Sequence, residues 1–137
     1  MIEFSEELVT NIPSIDDQHR ALVGYVNDLL SMGARAASNE EIEKTLLFLG
    51  NYVVLHFTEE EAMQAKFKYP NLDKHHEQHM LFIEDYQNIV NEFRISGPSQ
   101  AFMLRLNRSV IKWISNHIQG ADLSFAKYMK SKGFHAN

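Results

Sequence analysis

The chain has no cysteine and, among its 137 residues, only three prolines and six glycines. Without cysteine there is no disulfide, no thiolate-bound zinc or iron–sulfur cluster, and no cysteine nucleophile. No apolar run approaches the roughly 20 residues that a membrane-spanning helix needs. The first residues have no basic segment followed by an apolar stretch, so we expect no signal peptide.

Positive charge is also scarce, because 13 Lys and Arg stand against 18 Asp and Glu, a formal net charge of −5. This acidic balance argues against general binding to nucleic acid or to an anionic membrane. Hydrophobic residues make up 45% of the chain, which is an ordinary globular composition. We therefore expect one soluble domain over residues 1–137, cytoplasmic, with no nucleic-acid binding and no membrane insertion.

The scarcity of breakers leaves four long segments in which apolar residues recur every three or four positions, the period of an α-helix. Ser38 begins a capping box before the second segment, and Asn71 has the position of an N-cap for the third. The pattern predicts an all-α fold, an up-down-up-down antiparallel four-helix bundle with a short C-terminal helical segment. The predicted helices are residues 16–36, 39–67, 71–95 and 99–119.

Histidine is the residue type that stands out, since there are seven, and each predicted helix places at least one on its apolar face. A buried imidazole or carboxylate without a partner costs on the order of 1–3 kcal/mol, and proteins are stable by only ~5–15 kcal/mol. A bound metal ion would take up the lone pairs that an apolar core leaves unsatisfied. The candidate ligands are His19, His56, Glu60, His75, His79, His117 and Asp122.

The spacing of these candidates fits helical faces. Two helices carry candidates at i and i+4, one turn apart on the same face. His117 and Asp122 are five residues apart, so both cannot point inward from a regular α-helix. Gly120 lies between them and predicts that the helix ends or bulges there.

The donor set narrows the metal. Imidazole with carboxylate suits iron, and also zinc, copper or manganese. Seven ligands are too many for one ion but suit two ions if both carboxylates bridge, as they do in di-iron bundles. With one further bridge from solvent, five histidines divide as three and two. One ion would then keep a vacant coordination position.

The sequence resembles the hemerythrin family, in the single-domain prokaryotic form called bacteriohemerythrin. The resemblance runs from residue 15 to residue 122, and all seven ligand positions are filled. The matching stretches are Ile15 to His19, His56 to Glu60, Tyr69-Pro70, His75 with His79, and Trp113 to Asp122.

This resemblance implies two iron ions, Fe2+ or Fe3+, bridged by an oxo or hydroxo group and by two carboxylates. The charged neighbours are expected to be exposed or hydrogen-bonded, with one or two as candidates to orient a ligand imidazole through its other nitrogen. The sequence does not choose among them: they are Asp16, Asp17, Glu59, Glu61 and Glu77. The implied roles are His75, His79 and His117 on a six-coordinate iron, His19 and His56 on a five-coordinate iron, and Glu60 and Asp122 as bridges.

The implied function is reversible binding of dioxygen for storage, delivery or sensing, by a protein that is not an enzyme and has no catalytic residue. Trp113 and Ile114, about one turn before His117, are the best candidates for lining the gas pocket. Alternatives stay open: a di-iron redox enzyme acting on nitric oxide or peroxide, or a sensor of oxygen or iron acting through a partner protein. A bundle that uses the same ligands for zinc or manganese is a further alternative.

Overall fold

All regular structure in the computed structural model, which describes residues 3–135, is helical. Three long helices pack in succession, and a fourth helical stretch runs from Gln100 to Ser131 with two π-helical turns inside it. The predicted all-α helical bundle is confirmed. The elements are a 3-10 turn Glu6–Leu8, α1 Pro13–Ala34, α2 Asn39–Lys66, α3 Leu72–Ser96, α4 Gln100–Leu106, a π turn Asn107–Ile111, α5 Lys112–His117, a π turn Ile118–Asp122 and α6 Leu123–Ser131.

Helix α1 begins at Pro13, three residues before the predicted start. Proline suits the first turn of a helix because its missing N–H would have no partner there. The buried carboxylate of Asp16 accepts hydrogen bonds from the backbone N–H and the hydroxyl of Thr10, both at 2.8 Å. It also accepts from the backbone N–H of Asn11 at 3.2 Å. These bonds fix the segment before α1 against its first turn.

The two predicted N-caps differ. Ser38 Oγ accepts a hydrogen bond from the backbone N–H of Glu41 at 3.2 Å, as expected of an N-cap. The Glu41 carboxylate does not complete the capping box, because it accepts instead from Arg35 Nη2 at 2.9 Å. Asn71 does occupy the N-cap position of α3, but its side chain forms no capping hydrogen bond. The predicted N-cap position of Asn71 is confirmed.

Between His117 and Asp122 the helix bulges and does not end. The backbone keeps helical dihedral angles at both junctions of the π turn, −66°/−44° at His117 and −67°/−31° at Leu123. A π turn closes its hydrogen bond over five residues, so side chains five apart lie one turn above each other. Of the two outcomes predicted from Gly120, the structure shows the bulge. Both ligand candidates are buried on the same inner side.

Two apolar clusters fill the bundle, a large one along most of its length and a small one near the ends of α1, α2 and α6. Along the chain most candidate ligands fall between a residue of the large cluster and one of the small cluster, so apolar side chains lie on both sides of them. Within residues 3–135 no helix is long and apolar enough to cross a membrane. The small cluster contains Ile12, Ile15, Tyr69, Phe125 and Met129.

Two glycines allow a matched test of the packing. A Cβ atom at Gly50 would lie 2.8 Å from Tyr86 Cε2, whereas one at Gly120 would have no neighbour within 4 Å. We expect Gly120→Ala to raise the free energy of unfolding by about 0.5–1 kcal/mol, through helix propensity. Gly50→Ala should lower it by about 1–3 kcal/mol, because the buried Tyr86 ring must shift. Urea denaturation measures both. A loss of stability in Gly120→Ala would mean that the π turn requires glycine.

Candidate metal centre

The seven candidate ligands converge at one place in the bundle. Each is buried, with at most 7% of its surface exposed. Helices α1, α2, α3 and α5 and the second π turn each contribute, so residues that are over 100 positions apart in the chain meet. Their ligand atoms form two groups, within each of which the atoms all lie within 4.8 Å of one another. The groups are Glu60, His75, His79, His117 and Asp122, and His19, His56, Glu60 and Asp122.

The first group is built on three imidazoles. His117 Nε2 lies 2.9 Å from His75 Nε2 and 2.9 Å from His79 Nε2. Asp122 Oδ1 lies 3.0 Å from His75 Nε2 and 3.1 Å from His117 Nε2. Glu60 Oε1 lies 3.1 Å from His75 Nε2 and 3.5 Å from His79 Nε2. Three ring nitrogens and one oxygen from each carboxylate thus face a common point.

The second group has two imidazoles and the other oxygen of each carboxylate. Asp122 Oδ2 lies 2.7 Å from His19 Nε2 and 3.4 Å from His56 Nε2. Glu60 Oε2 lies 3.9 Å from His56 Nε2. Each carboxylate therefore turns one oxygen toward the three-histidine group and one toward the two-histidine group. Bridging carboxylates in two-metal sites have this arrangement.

Burial controls the protonation of these groups. It raises the pKa of Glu60 well above its usual range, and the nearby charge of Asp122 raises it further. Burial, with His75 and His117 beside it, lowers the pKa of His79 to about 2. Burial also lowers the pKa of His56. Neutral imidazoles offer lone pairs, which are what a metal ion binds.

Asp122 differs from Glu60. Burial alone would raise its pKa, but the charge and hydrogen bond of His117 and the hydrogen bonds of His19 and His56 hold the pKa well below its usual range. Glu60 has no such partner, since neither of its buried oxygens accepts a hydrogen bond from the described part of the chain. A buried carboxylate without a donor, facing neutral imidazoles, fits a bound cation.

Three of the imidazoles are held from behind by a side chain on their outer nitrogen, Nδ1. An acceptor there places the ring proton on Nδ1 and leaves Nε2 free for a metal ion. The oxygen and nitrogen ends of the Gln64 amide have nearly the same shape, so a rotated amide places its oxygen against His75 Nδ1. The pairs are His56 with Gln18 Oε1 at 2.7 Å, His79 with Glu61 Oε2 at 2.8 Å, and His75 with the Gln64 amide.

Gln18 and Gln64 are not among the residues predicted from the sequence. Gln64 continues the four-residue spacing of His56 and Glu60 along α2, and that spacing was a usable signal. Gln18 directly precedes His19, and nothing in its spacing marks it as the partner of His56. Of the charged neighbours, Glu61 is the one that contacts a candidate ligand.

The residues predicted to line a gas pocket lie near the centre. Trp113 stacks on the ring of His117, with ring centroids 4.4 Å apart and 11° between the planes. It therefore lies on the three-histidine side and not beside His19 and His56. Ile114 is 3% exposed and belongs to the large apolar cluster. A role for either in a gas pocket stays a prediction.

Comparison with known proteins shows which family has this sequence pattern. The family model of the hemerythrin HHE cation binding domain matches residues 10–128. The chain belongs to the hemerythrin family. With the buried cluster of histidines and carboxylates, membership of the hemerythrin family supports a non-heme iron protein with a metal-binding site.

Individual relatives agree with the family model. A bacteriohemerythrin of Stenotrophomonas maltophilia is 30% identical over 138 aligned positions, covering 96% of this chain and 83% of the relative. A bacteriohemerythrin of Methylococcus capsulatus is 31% identical over 116 positions, covering 85% and 86%. A myohemerythrin of Theromyzon tessulatum is 26% identical over 111 positions, covering 81% and 79%. The hemerythrin match thus extends over most of the chain.

The isolation of Glu60 gives a test by substitution. In metal-free protein, Glu60→Gln should raise the free energy of unfolding by about 1–3 kcal/mol, because it replaces a buried carboxyl group whose ionisation is unfavourable and whose oxygens have no donor within the described residues. In protein supplied with iron, the same change should lower the metal-to-chain ratio. Denaturation with chelator present and elemental analysis measure the two effects. Glu77→Gln, an equal charge change at an exposed position of α3, should alter neither. Reduced metal-free stability in Glu60→Gln alone would contradict this account.

The lowered pKa of His79 predicts a pH dependence. The unfolded chain takes up a proton on this residue below about pH 6.5 and the folded chain does not, so stability falls as the pH falls. The raised pKa of Glu60 has the opposite effect on stability, so the test uses the metal-free Glu60→Gln variant. In this variant the free energy of unfolding should drop by about 2 kcal/mol between pH 8 and pH 5 through His79. Urea denaturation across this range measures it. A flat profile would contradict the lowered pKa, because it would mean that His79 takes up its proton over the same pH range in the folded and unfolded chains.

Proposed function

We propose that this chain holds two iron ions and binds dioxygen reversibly, for storage, delivery or sensing. The iron ions would be bridged by Glu60, Asp122 and an oxo or hydroxo group. His75, His79 and His117 would hold one iron, and His19 and His56 the other. As part of the same proposal the protein is not an enzyme, is located in the cytoplasm, and passes oxygen or a signal to a protein partner.

The observation that carries this proposal is the unequal division of imidazoles around two shared carboxylates. One group has three ring nitrogens and the other has two, while each carboxylate contributes an oxygen to both groups. With equal bridging, the ion held by two histidines has one ligand fewer. Bound at this site, iron would supply electrons and an open coordination position for a diatomic gas.

The surroundings favour binding of dioxygen over its reduction, because the protein offers few protons at the centre. Apart from the ligands, the buried polar side chains of the described residues already have hydrogen-bond partners. Gln18 and Gln64 contact ligand imidazoles, and Thr10 and Asp16 bond to each other. Thr45 contacts Met32, away from the cluster.

Part of the wall of the centre is apolar or aromatic. Phe57 stacks face to face on His79, with ring centroids 3.7 Å apart and 5° between the planes. Phe57 is 4% exposed and Ile118 is 2% exposed. These side chains exclude water from that part of the site. Where water and a free acid are excluded, a bound ligand stays unprotonated and is released unchanged.

A cycle of aeration tests the proposal. Protein loaded with ferrous iron under anaerobic conditions should develop a visible absorption band in air, and the band should disappear when oxygen is removed. Several cycles should leave the amplitude unchanged and release no peroxide. Glu77→Gln should cycle like the original chain, while Asp122→Asn should lose both iron and band.

Other outcomes would contradict the proposal. Rapid, irreversible oxidation with release of peroxide would favour a redox enzyme that acts on peroxide or nitric oxide. Protein that is grown with ample iron and yet contains zinc or manganese would contradict the assignment of the metal.

A further inference from the structure

A surface cavity of about 370 Å³ opens beside the three-histidine group. Its inner wall contains His75, His117 and the aromatic rings of Trp113 and Tyr69. Neither His19 nor His56 lines it, so the cavity does not lead to the side where the proposed function has its open coordination position. Polar side chains line the rest: Asn71, Lys74, Gln78, Asn116 and Ser124.

The lining has an unusual charge balance for this acidic chain. Among the described residues that form it, Lys74 carries the charge and no carboxylate is present, although the chain as a whole has a net charge of −5. The ammonium, amide and hydroxyl groups around it can all donate hydrogen bonds. A cation among several donors, without a competing carboxylate, favours an anionic ligand.

His117 supplies a second, independent indication. His56, His75 and His79 each have a side chain on Nδ1, whereas His117 makes its contacts through Nε2. Within residues 3–135 no hydrogen bond forms at His117 Nδ1. Unlike the sealed Nδ1 of His19, this atom is not cut off from solvent, and its ring is part of the cavity wall. When Nε2 binds a metal ion, Nδ1 carries the proton and needs an acceptor. An oxyanion in the cavity would supply one.

The size of the cavity selects the kind of anion. A volume near 370 Å³ falls in the range of small-molecule sites, which begins at about 300 Å³. A lone inorganic ion would leave most of this space unfilled. The indole of Trp113 and the ring of Tyr69 offer an apolar surface of the kind that packs against a carbon skeleton. The ligand therefore has a charged end and an apolar body.

We propose that this cavity binds a small organic carboxylate. Its carboxylate accepts hydrogen bonds from the Lys74 ammonium and from His117 Nδ1, and its apolar body packs on Trp113. The inference rests on the metal centre of the proposed function, because the metal ion fixes the proton of His117 on Nδ1. It does not depend on dioxygen.

Calorimetric titration of the iron-loaded protein with benzoate tests this inference. Benzamide, which has nearly the same shape and no charge, and inorganic phosphate serve as comparison ligands. Benzoate should bind one to one, and both comparison ligands should bind at least about tenfold more weakly. Trp113 is the only tryptophan in the sequence, so its fluorescence should change with the same dissociation constant.

Two matched variants locate the site. Lys74→Gln should weaken benzoate binding by about tenfold, since it removes a charged donor from the cavity. Lys112→Gln makes the same charge change at an exposed position of α5 that does not line the cavity, and should leave binding unchanged. Both lysines are exposed, so neither change should disturb the fold.

The contradicting results are distinct. Equal binding of benzoate and benzamide, or equal losses in the two variants, would overturn an anion site in this cavity. Phosphate binding as tightly as benzoate would overturn the organic carboxylate in favour of an inorganic oxyanion. Iron content is measured on the same sample. Two iron ions per chain without benzoate binding overturn this inference alone, whereas the absence of iron overturns the proposed function as well.

Discussion

The buried carboxylate of Glu60, which has no hydrogen-bond donor within residues 3–135, is the group on which the other parts of this structure depend. It is wholly buried, no donor among the described residues reaches either oxygen, and burial together with Asp122 works against its ionisation. Around it, five imidazoles direct their Nε2 atoms inward, and burial lowers the pKa of two of them, His56 and His79. Hydrogen bonds alone do not satisfy these buried carboxylates and imidazoles. The cost of burying them is large beside a net stability of ~5–15 kcal/mol. A cation between the two carboxylates would attract their charge and would bind the imidazole lone pairs. Contacts that are unfavourable without it would then become favourable.

The helical bundle serves this centre through a few local devices. The π turn inserts one extra residue after His117, so that Asp122 returns to the inner face without a break in the helix. Gln18 and Glu61 hold imidazoles from behind and thereby select the ring nitrogen that faces inward. Apolar clusters lie on both sides of the centre.

Much of this was predictable from spacing, because helical period is a local property of the chain. The four-residue spacing of His56 and Glu60 already put both side chains on one face, and the five-residue spacing before Asp122 required a bulge or an end. Partners contributed by another helix were not predictable in this way. Gln18 contacts His56 only because α1 packs on α2, and Glu61 reaches His79 only because α2 packs on α3. Which imidazoles share a carboxylate oxygen likewise follows from packing that no local pattern records.

The central claim is that two ions share Glu60 and Asp122, with three imidazoles on one ion and two on the other. Anomalous diffraction at the iron edge, from crystals of protein grown with iron, tests this directly. The account predicts two iron peaks, each within bonding distance of one oxygen of Glu60 and one oxygen of Asp122. One peak should be bound by His75, His79 and His117, and the other by His19 and His56 alone. A single peak, or two peaks with equal numbers of imidazoles, would contradict it.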